Sequence, residues 1–143
     1  MDPNSYLAIA YRNIETNKKM LEWGDYNDSV RYSQQVVEKV LKHLLETTCD
    51  AEVTKFMKLH KLKILYSEVM KKNIKELPEV NTDTLAALTD YYFDTNYPGD
   101  NFVLVEKEEA ERMYLFARNF IDTFKKLSES VKEDTDFPTS NNC

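Results

Sequence analysis

Glycine is nearly missing from this sequence, with Gly24 and Gly99 the only two in 143 residues. All-β folds spend more glycine on their turns, so the shortage favours helices joined by few connections. Two isolated glycines also cannot form a glycine-rich phosphate cradle. Cysteine is equally scarce: Cys49 and Cys143 resemble neither a disulfide framework nor a zinc site. The chain has no HExxH, no CxxC and no Glu-x-x-His pair, so neither a metal nor a cofactor is expected. No apolar run approaches the roughly 20 residues that span a bilayer, and no membrane segment is expected. Met1-Asp2-Pro3-Asn4 lacks the charged-then-apolar order of a secretory signal, which makes the cytoplasm the expected compartment.

The residues that are abundant point to a core. The chain is 42% apolar and 12% aromatic, enough to fold as one ordinary domain. Its formal charge of -6 argues against a broad, non-specific grip on nucleic acid. Lysines from Lys18 to Lys72 crowd the first half, while much of the acid lies in the second. That asymmetry fits a local basic face, and equally a set of solvated helix faces.

Apolar residues recur at three- and four-residue steps in five segments. The first, 5–23, carries Leu7, Tyr11, Ile14 and Leu21, interrupted by Lys18. Gly24 ends it and Asp25 is placed to cap the next. The second, 26–47, turns Val30, Val37, Leu41, Leu44 and Leu45 inward, widened by Val36 and Val40. Arg31, Gln34, Gln35, Glu38 and Lys42 are expected largely on its other side. The third, 55–72, keeps Phe56, Leu59, Leu62, Leu65 and Val69 in step. After a connection over 73–81, the fourth begins at Thr82 or Asp83, presents Leu85, Leu88 and Tyr92, and stops before the Tyr97-Pro98-Gly99-Asp100 turn. Residues 101–105 include an apolar run that predicts one β-bridge or a buried loop. The fifth starts near Glu106 with a glutamate-rich first turn that suits the helix dipole. It buries Ala110, Met113, Tyr114, Ala117, Phe120, Ile121 and Phe124. The pattern predicts an all-α, five-helix up-and-down antiparallel bundle over 1–130, with helices two and five most central, and a flexible polar tail over 131–143.

Groups for catalysis are few. His43 and His60 are the only histidines, and Cys49, six residues after His43, does not share its helix face. His43 reads as a boundary residue and Cys49 as a small core group. Glu106, Glu108 and Glu109 read as a helix start, and Glu133-Asp134 as solvated tail. Tyr91, Tyr92, Phe93, Tyr97 and Phe102 cluster near the end of the fourth helix. They fit either a packed corner or a surface for a base or a partner.

The run Asp28-Ser29-Val30-Arg31-Tyr32-Ser33-Gln34-Gln35-Val36-Val37-Glu38-Lys39-Val40-Leu41-Lys42 resembles the signature helix of HEPN domains. His60-Lys61-Leu62 is similar to the His-x-Leu start of that family's third helix. Asp94-Thr95-Asn96-Tyr97-Pro98 falls where members often carry an Arg-Tyr-Pro turn, ahead of a glutamate-rich last helix. The resemblance covers about residues 5 to 128. It implies a helical bundle that usually dimerises, associates with nucleotides or RNA, and often pairs with a minimal nucleotidyltransferase in a toxin-antitoxin system. Many members are metal-independent ribonucleases that use an arginine, four to six intervening residues, and a histidine. None of Arg12, Arg31, Arg112 and Arg118 precedes a histidine at that spacing. Lys55-x4-His60 has the spacing, but lysine lacks the planar guanidinium fork. Asn96 stands where the turn's arginine is common, which weakens an anion site there.

Three expectations follow. The first is a non-catalytic module that binds a nucleotide, RNA or a nucleotidyltransferase-like partner through Arg31, Gln35, Glu38, Lys39, Lys42, Tyr97 and Asp100. A plain alternative for the helix-two ridge is surface pairing of Arg31 with Gln35 and of Glu38 with Lys42. The second is a weak ribonuclease built on His60 with Lys55. The third is a structural dimerisation domain.

Overall fold

A computed structural model describes residues 1–99 and 102–134. Five α-helices form the bundle: α1 (Tyr6–Glu22), α2 (Tyr26–Glu46), α3 (Leu62–Lys71), α4 (Thr82–Asn96) and α5 (Lys107–Asp134). A short 3-10 helix, Ala51–Phe56, lies between α2 and α3. The described residues contain no strand, so the all-α reading holds.

Ser5 starts α1 by accepting the Ala8 N–H on its hydroxyl at 3.1 Å. Gly24 ends the α1 turn with φ +81°, a left-handed conformation that glycine adopts without strain. The two helices it joins form a tight hairpin. Asp25 precedes α2 but makes no side-chain cap bond, contrary to the sequence expectation. The hairpin is locked by polar side chains. Asn17 donates from Nδ2 to Ser33 Oγ at 2.8 Å and accepts the Ser29 hydroxyl on Oδ1 at 2.6 Å. All three residues are fully buried. Asn17→Ala strands both serines away from water and is expected to lower stability by about 1–3 kcal/mol in chemical denaturation.

Helix α2 is the central element and packs against α1, α3, α4 and α5. Val30, Val36, Val37, Val40, Leu41, Leu44 and Leu45 are all buried. Helix α5 packs mainly against α2 and less against α1, so α2 alone takes the central place expected of the two helices, and Tyr114 is only partly buried. Helix α5 buries the stripe Ala110, Met113, Ala117, Phe120, Ile121 and Phe124, but leaves Leu115 exposed. It continues to Asp134, four residues past the boundary expected for the tail, and residues 135–143 lie outside the described residues.

The third helix departs most from expectation. The apolar spacing runs unbroken from Phe56 to Val69, yet α3 begins only at Leu62. The reason lies in the hydrogen bonds. The His60 carbonyl is taken by Gln34 Nε2 at 2.9 Å, and the Leu62 N–H by the Thr89 hydroxyl at 3.1 Å. His60 therefore sits beside the middle of α2, whereas Lys72, just past α3, reaches Asp50 at 2.9 Å. The segment between α2 and α3 returns along the bundle before α3 starts. Cys49 lies at the start of this return with φ 56° and is exposed, not part of the core.

Asn81 caps α4 by accepting the Asp83 N–H at 2.9 Å. Residues 102–105 form neither a β-bridge nor a wholly buried loop. Val105 is buried, while Phe102, Val103 and Leu104 are exposed.

Candidate functional site

Positions 34, 38 and 42 on α2 are four residues apart and share one face. All three side chains are buried. Gln34, Glu38 and Lys42 were expected on the solvent side, and their burial overturns that expectation. The physical reason is that four helices pack against α2 and the return segment brings the His60 carbonyl onto Gln34 and the His60 ring onto Glu38. A buried charge persists only where it is paired and hydrogen-bonded, and this one is.

Glu38 is the hub. Its Oε1 accepts from Gln34 Nε2 at 3.0 Å and contacts His60 Nδ1 at 2.7 Å. Its Oε2 accepts from Lys42 Nζ at 3.1 Å and from Lys39 Nζ at 3.3 Å. Burial pushes the carboxyl up, but the bonds from Gln34 and His60 and the charges of Lys42 and Lys39 outweigh it, leaving a net shift below the usual range. Burial draws the Lys42 ammonium below the ordinary lysine range, against the opposing pull of Glu38. Because the Glu38 value is depressed on folding, its stabilisation is present above the ordinary carboxylate pKa of about 4.3 and is lost as pH falls below it. Acidification is thus expected to destabilise the native chain more steeply than Glu38→Gln, a difference that thermal melts across pH would measure.

His60 connects this cluster to the surface. Its side chain is 38% exposed, and its ring lies 4.9 Å from Tyr92 and 6.4 Å from Phe93. With Nδ1 on Glu38, the Nε2 nitrogen has no hydrogen-bond partner among the described residues.

A cleft of about 340 Å³ opens beside Tyr92, between α2 and α4. Asp28, Arg31, Tyr32 and Gln35 line it from α2, and Tyr92 and Asn96 from α4, with Met20 from α1. Arg31 and Gln35 are one turn apart, as are Tyr92 and Asn96, so two short ridges face each other. Arg31 is held in place by donating to the Thr95 carbonyl at 2.8 Å and by an ion pair with Asp28. Gln35 donates to Gln34 Oε1 at 2.6 Å, which links the cleft to the Glu38 cluster.

The structure thus divides the predicted site. Arg31 and Gln35 line the cleft. Glu38, Lys39 and Lys42 form the inner cluster, so the Glu38–Lys42 pair is a buried ion pair and not a surface one. Lys39 also lies over the Tyr6 ring, 5.7 Å from its centroid. Tyr97 is exposed and stacks on Phe93 at 6.4 Å, outside the residues lining the cleft. Asp100 lies outside the described residues. Lys55 is not brought to His60: it pairs with Glu52 at 4.0 Å and lies over the Phe56 ring. His43, at the other end of α2, meets Phe124 edge-on at 5.8 Å, and burial lowers its pKa. Sequence reasoning did not assign Gln34, Tyr32 or Asn96 to the site. Of these, only Gln34 carried a signal, its four-residue spacing from Glu38.

Among the described residues no helix is long and apolar enough to cross a membrane, and no group of three or more His, Cys, Asp and Glu side chains is placed to hold a metal ion.

An all-helical bundle with a polar, partly buried second helix at its centre is the class these features define. The family model described as HEPN domain matches residues 4–127, most of the chain, and the protein belongs to that family. Comparison with curated proteins, and with solved structures, gives no significant match.

Proposed function

We propose that the chain is a non-catalytic HEPN module that binds a nucleotide in the cleft between α2 and α4. The observation that carries this reading is the pairing of Arg31 and Gln35 on α2 with Tyr92 and Asn96 on α4 around one cavity. A tyrosine ring supplies a stacking face, carboxamides supply donors and acceptors for a base edge, and a guanidinium supplies a fork for phosphate. A cavity of about 340 Å³ is within the range of small-ligand sites. Asp28 competes with phosphate for Arg31, so the base contributes much of the binding and the affinity is modest. Calorimetric titration with ATP, the other nucleoside triphosphates and short RNA tests the proposal. A saturable heat that weakens in Arg31→Ala supports it. No heat with any of them removes nucleotide binding and leaves the protein-partner version.

That version places a nucleotidyltransferase-like protein on the same face, in a toxin-antitoxin type pair, with the chain as a homodimer. Co-purification with the natural partner and sedimentation of the isolated chain test the two parts separately.

One observation favours a second reading, a weak ribonuclease. Glu38 holds His60 through Nδ1 at 2.7 Å and leaves Nε2 for proton transfer. Lys58, Lys61 and Lys63 are exposed around it in the chain and add positive charge. Cleavage of tRNA that disappears in His60→Ala supports this reading. Cleavage that survives the substitution, or none at all, excludes it.

A further inference from the structure

Residues 102–105 connect α4 to α5 beside the hairpin turn of α1 and α2. The Asn27 carboxamide takes the two hydrogen bonds that a neighbouring strand would take. Its Nδ2 donates to the Val103 carbonyl at 3.0 Å, and its Oδ1 accepts the Val105 N–H at 2.8 Å. One group bonded to the carbonyl of residue i−1 and the N–H of residue i+1 reproduces a parallel bridge to residue i, here Leu104. The Val103 N–H is satisfied by the Asp94 carbonyl at 3.1 Å. Leu104 has neither its N–H nor its carbonyl bonded to a described residue. Backbone groups alternate between the two edges of an extended chain, so Asn27 closes one edge and the Leu104 edge stays open.

The surroundings narrow what covers that edge. Leu104 is 79% exposed. A hollow of about 290 Å³ separates Leu104 from the turn and is lined by Asp25 and Asp28. Glu106 follows Val105 in the chain and is exposed. Of the nearby cations, Arg31 is engaged by Asp28 and Lys107 faces Glu111 at 3.9 Å. The charge here is therefore acidic, and Tyr26, Leu104 and Val105 line the same hollow.

We infer that the Leu104 edge is a docking site for an extended, basic peptide segment of a partner protein. The segment adds as a strand, exchanging main-chain hydrogen bonds with Leu104, and sets its lysines or arginines beside Asp25 and Glu106. An open main-chain edge is matched by another main chain, and the charge selects a basic one. A second copy of this chain would oppose Asp25 and Glu106 with like charge, so the edge does not favour self-pairing. Asp28 lines both the hollow and the cleft, but neither Leu104 nor Asp25 lines the cleft, and peptide binding at the edge does not require a nucleotide.

Fluorescence anisotropy with the whole chain tests it, using labelled Lys-Val-Lys-Val-Lys-Val and Glu-Val-Glu-Val-Glu-Val hexapeptides as probes. The basic peptide is expected to bind at least about tenfold more tightly than the acidic one, and less tightly as salt is raised. Leu104→Pro removes the outward N–H, fixes φ at 104 and holds Val103 extended, and is expected to weaken basic-peptide binding about tenfold or more. Its circular dichroism reports whether the bundle stays folded. Asp25→Lys, at an exposed side chain without a cap bond, gives a second reading of the same site by reversing the charge preference. Binding to neither peptide, equal binding to both, or binding that neither variant changes overturns the inference. Concentration-dependent dimerisation abolished by Leu104→Pro also overturns it, and assigns the edge to a second copy.

Discussion

Glu38→Leu is expected to lower the free energy of unfolding by about 3–5 kcal/mol, because it breaks a buried ion pair from one side. The carboxylate receives Gln34, Lys39, Lys42 and His60. Lys42 is 2% exposed and cannot turn to water without opening the core. Its ammonium would be left buried and unpaired, or would lose its proton. Domains of this size are stable by about 5–15 kcal/mol, so the loss is a large share of the total. The double variant Glu38→Leu, Lys42→Met is expected to recover much of it, since replacing both charges removes the desolvation penalty as well as the attraction. Chemical denaturation followed by circular dichroism measures all three proteins. A loss below about 1 kcal/mol for the single variant would show that the pair behaves as a solvated surface bridge.

Tyr92→Ala is expected to weaken nucleotide binding by about 1–3 kcal/mol, the usual value of stacking a base on an aromatic ring. That is roughly a 5- to 150-fold rise in Kd. Tyr92 lines the cleft and also packs on His60 at 4.9 Å, so its loss removes the stacking face and loosens the wall beside it. It is only partly buried, and the bundle is expected to remain folded. Tyr97→Ala is the matched control. Its ring stacks on Phe93, outside the cleft lining, and its removal is expected to change Kd less than about threefold. Calorimetry on both variants decides between them. Equal losses would move the binding face outward toward Tyr97.

The bundle was legible because helix periodicity is a local property. Val30 to Leu45 on α2 and Ala110 to Phe124 on α5 carry their apolar stripes in the sequence, and those stripes are buried. The α3 boundary was not legible. Phe56, Leu59 and Leu62 keep a helical spacing across a segment whose hydrogen bonds go to Gln34 and Thr89, residues 26 and 27 positions away. The polar face of α2 misled for a related reason. A glutamate four residues before a lysine is the ordinary sign of a solvated helix surface. The packing of other helices on α2 and the return of His60 onto Gln34 and Glu38 turn it into an interior, and no local pattern records contacts so distant in the chain. Arg31 and Gln35 were read as site residues from their shared ridge. Tyr92 was read as part of an aromatic cluster whose role stayed open. Asn96 was read as a missing arginine, and in the structure it lies across the cleft from the arginine of α2.

The proposed ligand-binding face of this HEPN domain is the cleft between α2 and α4. Side-chain and backbone NMR shifts recorded during an ATP titration test it most directly. Saturable shifts are expected, concentrated at Arg31, Tyr32, Gln35, Tyr92 and Asn96, with a smaller response at His60 through its contact with Tyr92. Shifts confined to other faces of the bundle, or none at ligand concentrations in the millimolar range, would contradict it.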